Sequence, residues 1–103
     1  MSRIDAIRKL LNDSPRDTFL LYSLGMELLS ADQTAEAVRQ FQRVIELDPE
    51  YLAAYQQAAK ALQTLGDKPA AVDMLRKGIV VADKKGDRHA RDRMQPVLDA
   101  LLS

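Results

Sequence analysis

The sequence predicts an all-α fold: six antiparallel helices stacked as helical hairpins, the last helix acting as a cap. Three observations carry that reading. Apolar residues recur at helical spacing, as in Ile4, Ile7, Leu10 and Leu11, then Leu21, Leu24 and Leu28, then Val38, Phe41, Val44 and Ile45. Strand-type alternation is absent. Sliding the chain by 34 residues sets like on like: Ile4 on Val38 and Val72, Ile7 on Phe41 and Leu75, Lys9 on Arg43 and Lys77, Leu11 on Ile45 and Ile79. Pro15 falls on Pro49, Leu28 on Leu62, and Ala37 on Ala71. A period of that length, built of helix-turn-helix units, belongs to hairpins that bury their faces by stacking on one another.

The elements follow from the punctuation. Ser2 is placed to cap a first helix that runs to about Asn12, with Asp5 in the capping-box position. Ser14-Pro15 ends it, because the residue before a proline is pushed out of helical geometry. Asp17 caps a second helix over residues 18–30, and a third spans about 33–47 before Asp48-Pro49 stops it in the same way. A fourth covers 51–65 and ends at Gly66, which takes a left-handed cap conformation without strain. Asp67 caps the fifth, whose first turn tolerates Pro69 because no intrahelical donor is lost there. Lys84 and Lys85 suit its negative end, and Gly86 stops it. Asp87 caps a sixth helix with apolar positions Ala90, Met94, Val97, Leu98 and Leu101; Pro96 falls inside it and predicts a kink, the carbonyl of Asp92 losing its partner.

Composition narrows the function class. The 103 residues hold no Cys, which excludes disulfides and thiolate chemistry. Fifteen Lys and Arg balance fifteen Asp and Glu, so no overall field draws the chain onto nucleic acid or an anionic membrane. The balance is uneven along the chain: residues 1–67 hold seven basic and ten acidic groups, residues 68–93 eight and four. Charges through the first thirteen residues leave no apolar stretch of the secretory kind, and no run is long enough to span a bilayer, so a soluble, cytoplasmic protein is expected.

The repeat resembles the tetratricopeptide repeat family, whose pattern sets large residues and Leu-Gly on a first helix, Ala and a large apolar residue on a second, then Pro. Residues 18–51 fit it as a full repeat: Leu21, Leu24, Gly25 and Leu28 on the first helix, then Ala37, Phe41, Val44 and Pro49. Residues 52–86 form a second, with Tyr55, Ala58, Ala59, Leu62, Ala71, Leu75 and Gly78, but Asp83 replaces the closing Pro, so the fifth helix can run on. Residues 1–17 match only the second helix of a unit, and 87–103 a capping helix, since His89 and Asp92 stand where register expects large apolar residues. Small residues at Gly25, Ala37, Ala58, Ala59 and Ala71 let backbones approach, while Leu24, Phe41, Leu62 and Leu75 fill the layers between.

The resemblance implies a protein or peptide ligand, held in a concave groove lined by the first helix of each repeat. Its groove positions fall on Phe19, Tyr22, Met26 and Leu29 in the first repeat and on Ala53, Gln56, Lys60 and Gln63 in the second, one half apolar and the other polar. Met and Tyr adapt to irregular apolar surfaces, and Gln offers both donor and acceptor. The apolar members, Phe19 and Leu29 above all, are equally read as core. Some family members grip a terminal carboxylate with Lys, Asn and Arg; here Tyr22, Met26 and Gln56 occupy such places and only Lys60 conforms.

Two other classes stand beside this scaffold or adaptor role. The open edge of the half repeat suits a symmetric homodimer that buries Tyr22 and Met26. The basic cluster Lys84, Lys85, Arg88, Arg91 and Arg93 suits phosphates, yet Asp83, Asp87 and Asp92 interleave with it and no aromatic is near for stacking, which favours a solvated face. An enzyme is not expected. His89 is the only histidine, no acidic calcium loop or glycine-rich phosphate loop occurs, and nothing ties Ser2, Ser14, Ser23, Ser30 or Ser103 to His89 and Asp92 as a nucleophile. No cofactor or metal is expected either.

Overall fold

A computed structural model describes residues 2–103, which form six helices: α1 (Arg3–Asp13), α2 (Thr18–Ser30), α3 (Thr34–Leu47), α4 (Leu52–Thr64), α5 (Lys68–Lys85) and α6 (Arg88–Leu102). The starts are set by short polar side chains. Ser2 Oγ accepts from the Asp5 amide at 3.1 Å, and Asp17, Asp67 and Asp87 accept from the amides of Leu20, Ala70 and Ala90 at 3.0, 3.2 and 3.0 Å. Each such bond satisfies one of the amides a helix start leaves without a partner. Gln33 and Tyr51 precede α3 and α4 without a side-chain cap, and these helices begin one residue later than the sequence predicts.

The ends repeat with the sequence. After α1 and α3, the Ser14 and Asp48 amides donate to the Leu10 and Val44 carbonyls, and the Asp17 and Tyr51 amides close back onto Ser14 and Asp48. Prolines at 15 and 49 shape both turns. α2, α4 and α5 finish differently, each with the paired bonds of a left-handed cap: Gln33 to Leu28 and Asp32 to Leu29, Asp67 to Leu62 and Gly66 to Gln63, Asp87 to Ala82 and Gly86 to Asp83. The residue at the turn has positive φ in all three, 60° at Asp32, 78° at Gly66 and 70° at Gly86.

Every helix packs on the next in sequence, and α4 also touches α6 directly, so α2, α4 and α6 lie side by side as one layer and α3 and α5 as another. The stack measures 43 × 29 × 18 Å. Leu24, Leu28, Ala37, Phe41 and Ala58 form one buried cluster, against which Ile4, Ile7 and Leu11 of α1 rest; Tyr55, Ala59, Leu75, Ile79 and Met94 belong to another at the far end. No side chain of α1 is fully buried. Leu10, which repeats at the buried Val44 and Gly78, is 55% exposed because no helix covers that side of α1.

The third copy departs from the first two as Asp83 predicts. α5 continues four residues past the point matching the end of α3, and α6 starts two residues past the point matching the start of α4. α6 buries Ala90, Met94 and Leu98 rather than the in-register His89 and Asp92, which are exposed. It runs unbroken through Pro96; both Pro96 and Asp92 lie on exposed positions, so water can reach the carbonyl that the proline leaves free.

Candidate functional site

The layer of α2, α4 and α6 is furrowed by two clefts. The α4–α6 cleft, about 450 Å³, is floored by Ala59, Leu75 and Met94 and walled by Gln56, Gln57, Lys60 and Gln63 on one side and Arg93 and Val97 on the other. The α2–α4 cleft, about 380 Å³, takes Met26, Leu29 and Ser30 from α2 and Gln57, Lys60, Ala61 and Thr64 from α4, with Asp32 and Thr34 at the turn into α3. Gln57 and Lys60 line both. These two residues therefore stand on α4 between the two clefts.

Small side chains make the furrows possible. A Cβ on Gly25 would stand 2.5 Å from the ring of Phe41, so α2 can approach α3 this closely only through glycine. Ala58, Ala59 and Ala61 do the same for α4, all three buried, which leaves the longer Gln57, Lys60 and Gln63 as the side chains that stand clear.

Of the expected groove residues, Met26 and Leu29 line one cleft and Gln56, Lys60 and Gln63 the other. Phe19 and Tyr22 line neither. Phe19 is 68% exposed, so it is no core residue, and it sits near the start of α2 beyond the clefts. Tyr22 is half-buried with its ring centre 5.6 Å from that of Phe41 and 5.3 Å from that of Tyr51, so much of its face is taken up by the protein itself. Burial pushes the Tyr22 hydroxyl above its ordinary 10.0, the nearby Tyr51 adds to the rise, and the Gln57 side chain draws it back. Leu29 is half-buried at the edge of two core clusters, so it serves both packing and cleft.

Sequence reasoning missed Gln57, Arg93, Met94 and Val97 as cleft residues. Gln57 follows the expected Gln56 by one position and turns toward α2; its place beside a run of buried alanines was the available signal. The α6 residues were hidden because that helix leaves the repeat register.

The basic cluster does not converge on the groove as a unit. Arg91 pairs with Asp83 at 3.0 Å, Lys85 donates to the Glu50 carbonyl at 3.2 Å, and of the five only Arg93 enters the groove. Among the described residues no group of three or more His, Asp or Glu side chains is placed to hold a metal ion, and no helix is long and apolar enough to cross a membrane.

Among solved structures the chain is similar to a tetratricopeptide repeat domain protein from Salinibacter ruber, at 29% identity over 84% of this chain and 88% of that one, with a TM-score of 0.79. It shares its fold with the TPR2B domain of yeast Sti1 in a complex with pHsp70, at 16% identity over 95% and 78% of the two chains and a TM-score of 0.87. The same holds for PcrH in complex with the chaperone binding region of PopD, at 17% identity over 96% and 75% and a TM-score of 0.89. No curated protein gives a significant match. The tetratricopeptide repeat family model matches residues 28–90, from the end of α2 into α6. With well over half of its length matched and its helices stacked in the same way, this chain belongs to the tetratricopeptide repeat family.

Proposed function

We propose that the chain is a protein-interaction module that holds a peptide or protein segment in the groove of α2, α4 and α6, in a scaffold or adaptor role. The observation that carries this is the pair of neighbouring clefts on one helical layer, with Gln57 and Lys60 lining both. A preformed furrow needs little ordering of the receptor, so more of the contact energy appears as affinity. Solved relatives of the same fold that hold pHsp70 or a segment of PopD support the reading. The residues assigned to it are Met26, Leu29, Gln56, Gln57, Lys60 and Gln63.

The test is capture of partners from native lysate by tagged wild type and by a Met26→Arg, Gln63→Arg variant, whose long charged side chains obstruct both clefts. Both positions are exposed, so the fold is retained and a circular-dichroism melt checks it. Loss of specific partners is expected. Identical captured sets would remove the groove from consideration.

A second reading, self-association through the N-terminal edge, is favoured by the exposure of Leu10 and Phe19. It predicts dimers at micromolar concentration that dissociate on Leu10→Asp, Phe19→Ser substitution. Light scattering that finds only monomer disposes of it.

A further inference from the structure

The outer face of α5 departs from that of α3 in one patch. A cleft of about 360 Å³ is lined there by Tyr55 of α4 and by Arg76, Lys77, Val80 and Val81 of α5, and it shares no residue with the two clefts of the α2, α4 and α6 layer. The Tyr55 hydroxyl already donates to the Pro49 carbonyl at 2.6 Å, so the ring offers the cleft its carbon surface. Val80 is 52% exposed and Val81 half-buried. A single exposed valine is ordinary. This one is set apart by what the other copies of the repeat carry in its place.

Arg76, Val80 and Lys84 follow one another at the four-residue spacing that puts side chains on one helical stripe. One repeat earlier they fall on Gln42, Glu46 and Glu50, and two repeats earlier on Arg8, Asn12 and Arg16. On α3 the stripe is polar and satisfied locally, with Arg43 meeting Glu46 at 3.4 Å. On α5 the place of that glutamate is taken by Val80, and Lys77 pairs with Asp73 at 3.0 Å instead. The other acid of α5, Asp83, is held by Arg91. Arg76 and Lys84, one turn to either side of Val80, form no ion pair among the described residues. Of the nine Lys and Arg in that state, four lie between residues 76 and 88: Arg76, Lys84, Lys85 and Arg88. Free positive charge is therefore concentrated in this stretch, and here alone among the three copies it brackets an exposed apolar side chain.

An occupant of this cleft must bring an apolar group to the valines and the tyrosine ring, and negative charge to the cations beside them. We infer that the outer face of α5 is a second interaction surface, which takes a protein segment carrying an apolar side chain next to Asp or Glu. The apolar group sits against Tyr55, Val80 and Val81, and the carboxylate meets Arg76 or Lys84. This surface is separate from the groove and does not depend on the groove reading. A lipid surface suits it less, because the exposed Asp73 and Asp83 stand beside the same cations and one exposed valine gives little apolar area to insert.

The test is selection of random dodecapeptides on the full chain, with clones that also bind an Arg76→Gln, Val80→Glu variant removed. That variant restores the residues α3 carries at these places, both positions are exposed, and a melt verifies the fold. The surviving peptides are expected to set Asp or Glu within a few residues of Leu, Ile, Phe or Met. Synthetic copies, measured by fluorescence anisotropy, should bind wild type and a Met26→Arg, Gln63→Arg protein equally. Replacing the acid by its amide should weaken them at least about threefold, the scale of an exposed charge pair, and a Lys84→Glu variant, which leaves the cleft intact, should do the same. No surviving peptides, survivors without an acid, unchanged affinity for the Lys84→Glu protein, or survivors that fail on the Met26→Arg, Gln63→Arg protein overturn the inference. So does flotation with phosphatidylserine vesicles that is lost in the Arg76→Gln, Val80→Glu variant, which would assign this face to a membrane. None of these results bears on the groove, which partner capture by its own variant tests.

Discussion

Gly25→Ala is the substitution whose effect the structure fixes most directly, because two opposed terms of known sign meet there. Alanine in a helix interior is favoured over glycine by up to about 1 kcal/mol through backbone entropy. At this position, however, a Cβ would lie 2.5, 2.8 and 2.9 Å from the Cε1, Cζ and Cδ1 atoms of Phe41. Comfortable carbon contacts are about 3.5–4.0 Å, so the ring would have to retreat by roughly 1 Å. It has nowhere to go: Phe41 is 0% exposed, and the Tyr22 ring is 5.6 Å from its centre. Overpacking of this kind costs about 1–3 kcal/mol, and contact with three atoms of a fully enclosed ring belongs at the upper end. The net expectation is a loss of about 1–2 kcal/mol, or about 5–10 °C in Tm for a domain of this size.

The assay is thermal and urea unfolding followed by circular dichroism on Gly25→Ala, Phe41→Leu and the double variant. Leucine in place of the ring clears the space, so Gly25→Ala becomes neutral or stabilising in that background. A coupling of about 1 kcal/mol or more between the two sites is expected, in the range found for residues in contact. An alanine variant more stable than wild type would refute the claim that this glycine sets the approach of α2 to α3, and with it the account of how Met26 and Leu29 come to line the cleft.

Among the described residues Asp32 is the one non-glycine residue with positive φ, and it repeats at Gly66, so Asp32→Gly should stabilise the fold by about 0.5–1 kcal/mol; a lower urea midpoint would contradict the assignment of strain there. Removing a helix cap has the opposite sign: Asp67→Ala is expected to cost about 1 kcal/mol, whereas Asp67→Asn, which keeps an accepting oxygen, leaves the urea midpoint close to wild type. All three tyrosines are held above the ordinary 10.0, each chiefly by burial. The neutral form is thereby favoured in the folded state, so this contribution to stability is intact below pH 10 and is lost as pH rises through the raised values. Absorbance titration at the tyrosinate band should give higher midpoints for native than for urea-unfolded protein, with Tm falling above pH 10, and coincident midpoints would reject the effect.

The helices were legible because their signals are local. Capping side chains at Ser2, Asp17, Asp67 and Asp87, prolines at 15 and 49, and glycines at 66 and 86 act within a few residues of where they stand, and the structure uses each in that role. The left-handed turn at Asp32 was less visible, since only its repeat position marks it out. Burial was legible at the signature positions of the repeat and less so where distant neighbours decide it. Tyr22 was read as a groove residue from its position alone, and whether an aromatic at such a position stands clear depends on long-range neighbours, here Phe41 and Tyr51, that no local pattern names. Gln57 shows the converse, a polar side chain between buried Ala54 and Ala58 whose direction is set by the crossing of α2 and α4.

The largest departure, in α6, follows from one residue upstream of it. In strict register Arg93 falls on Gly25 and Ala59, both buried where helices meet closely, and a guanidinium there would be enclosed without a partner. Asp83 in place of the prolines at 15 and 49 lets α5 continue to Lys85, which delays the start of α6. Ala90 and Met94 then take the places that register assigns to His89 and Arg93. Each residue of shift turns a helix by about 100°, so a slip of one position is enough to exchange an inward side chain for an outward one. Met94, whose counterparts Met26 and Lys60 face the groove, becomes 1% exposed and floors the cleft, while Arg93 stands at its wall. The loss of a helix-stopping proline and the placing of Arg93 at the wall of the α4–α6 cleft are thus one structural event.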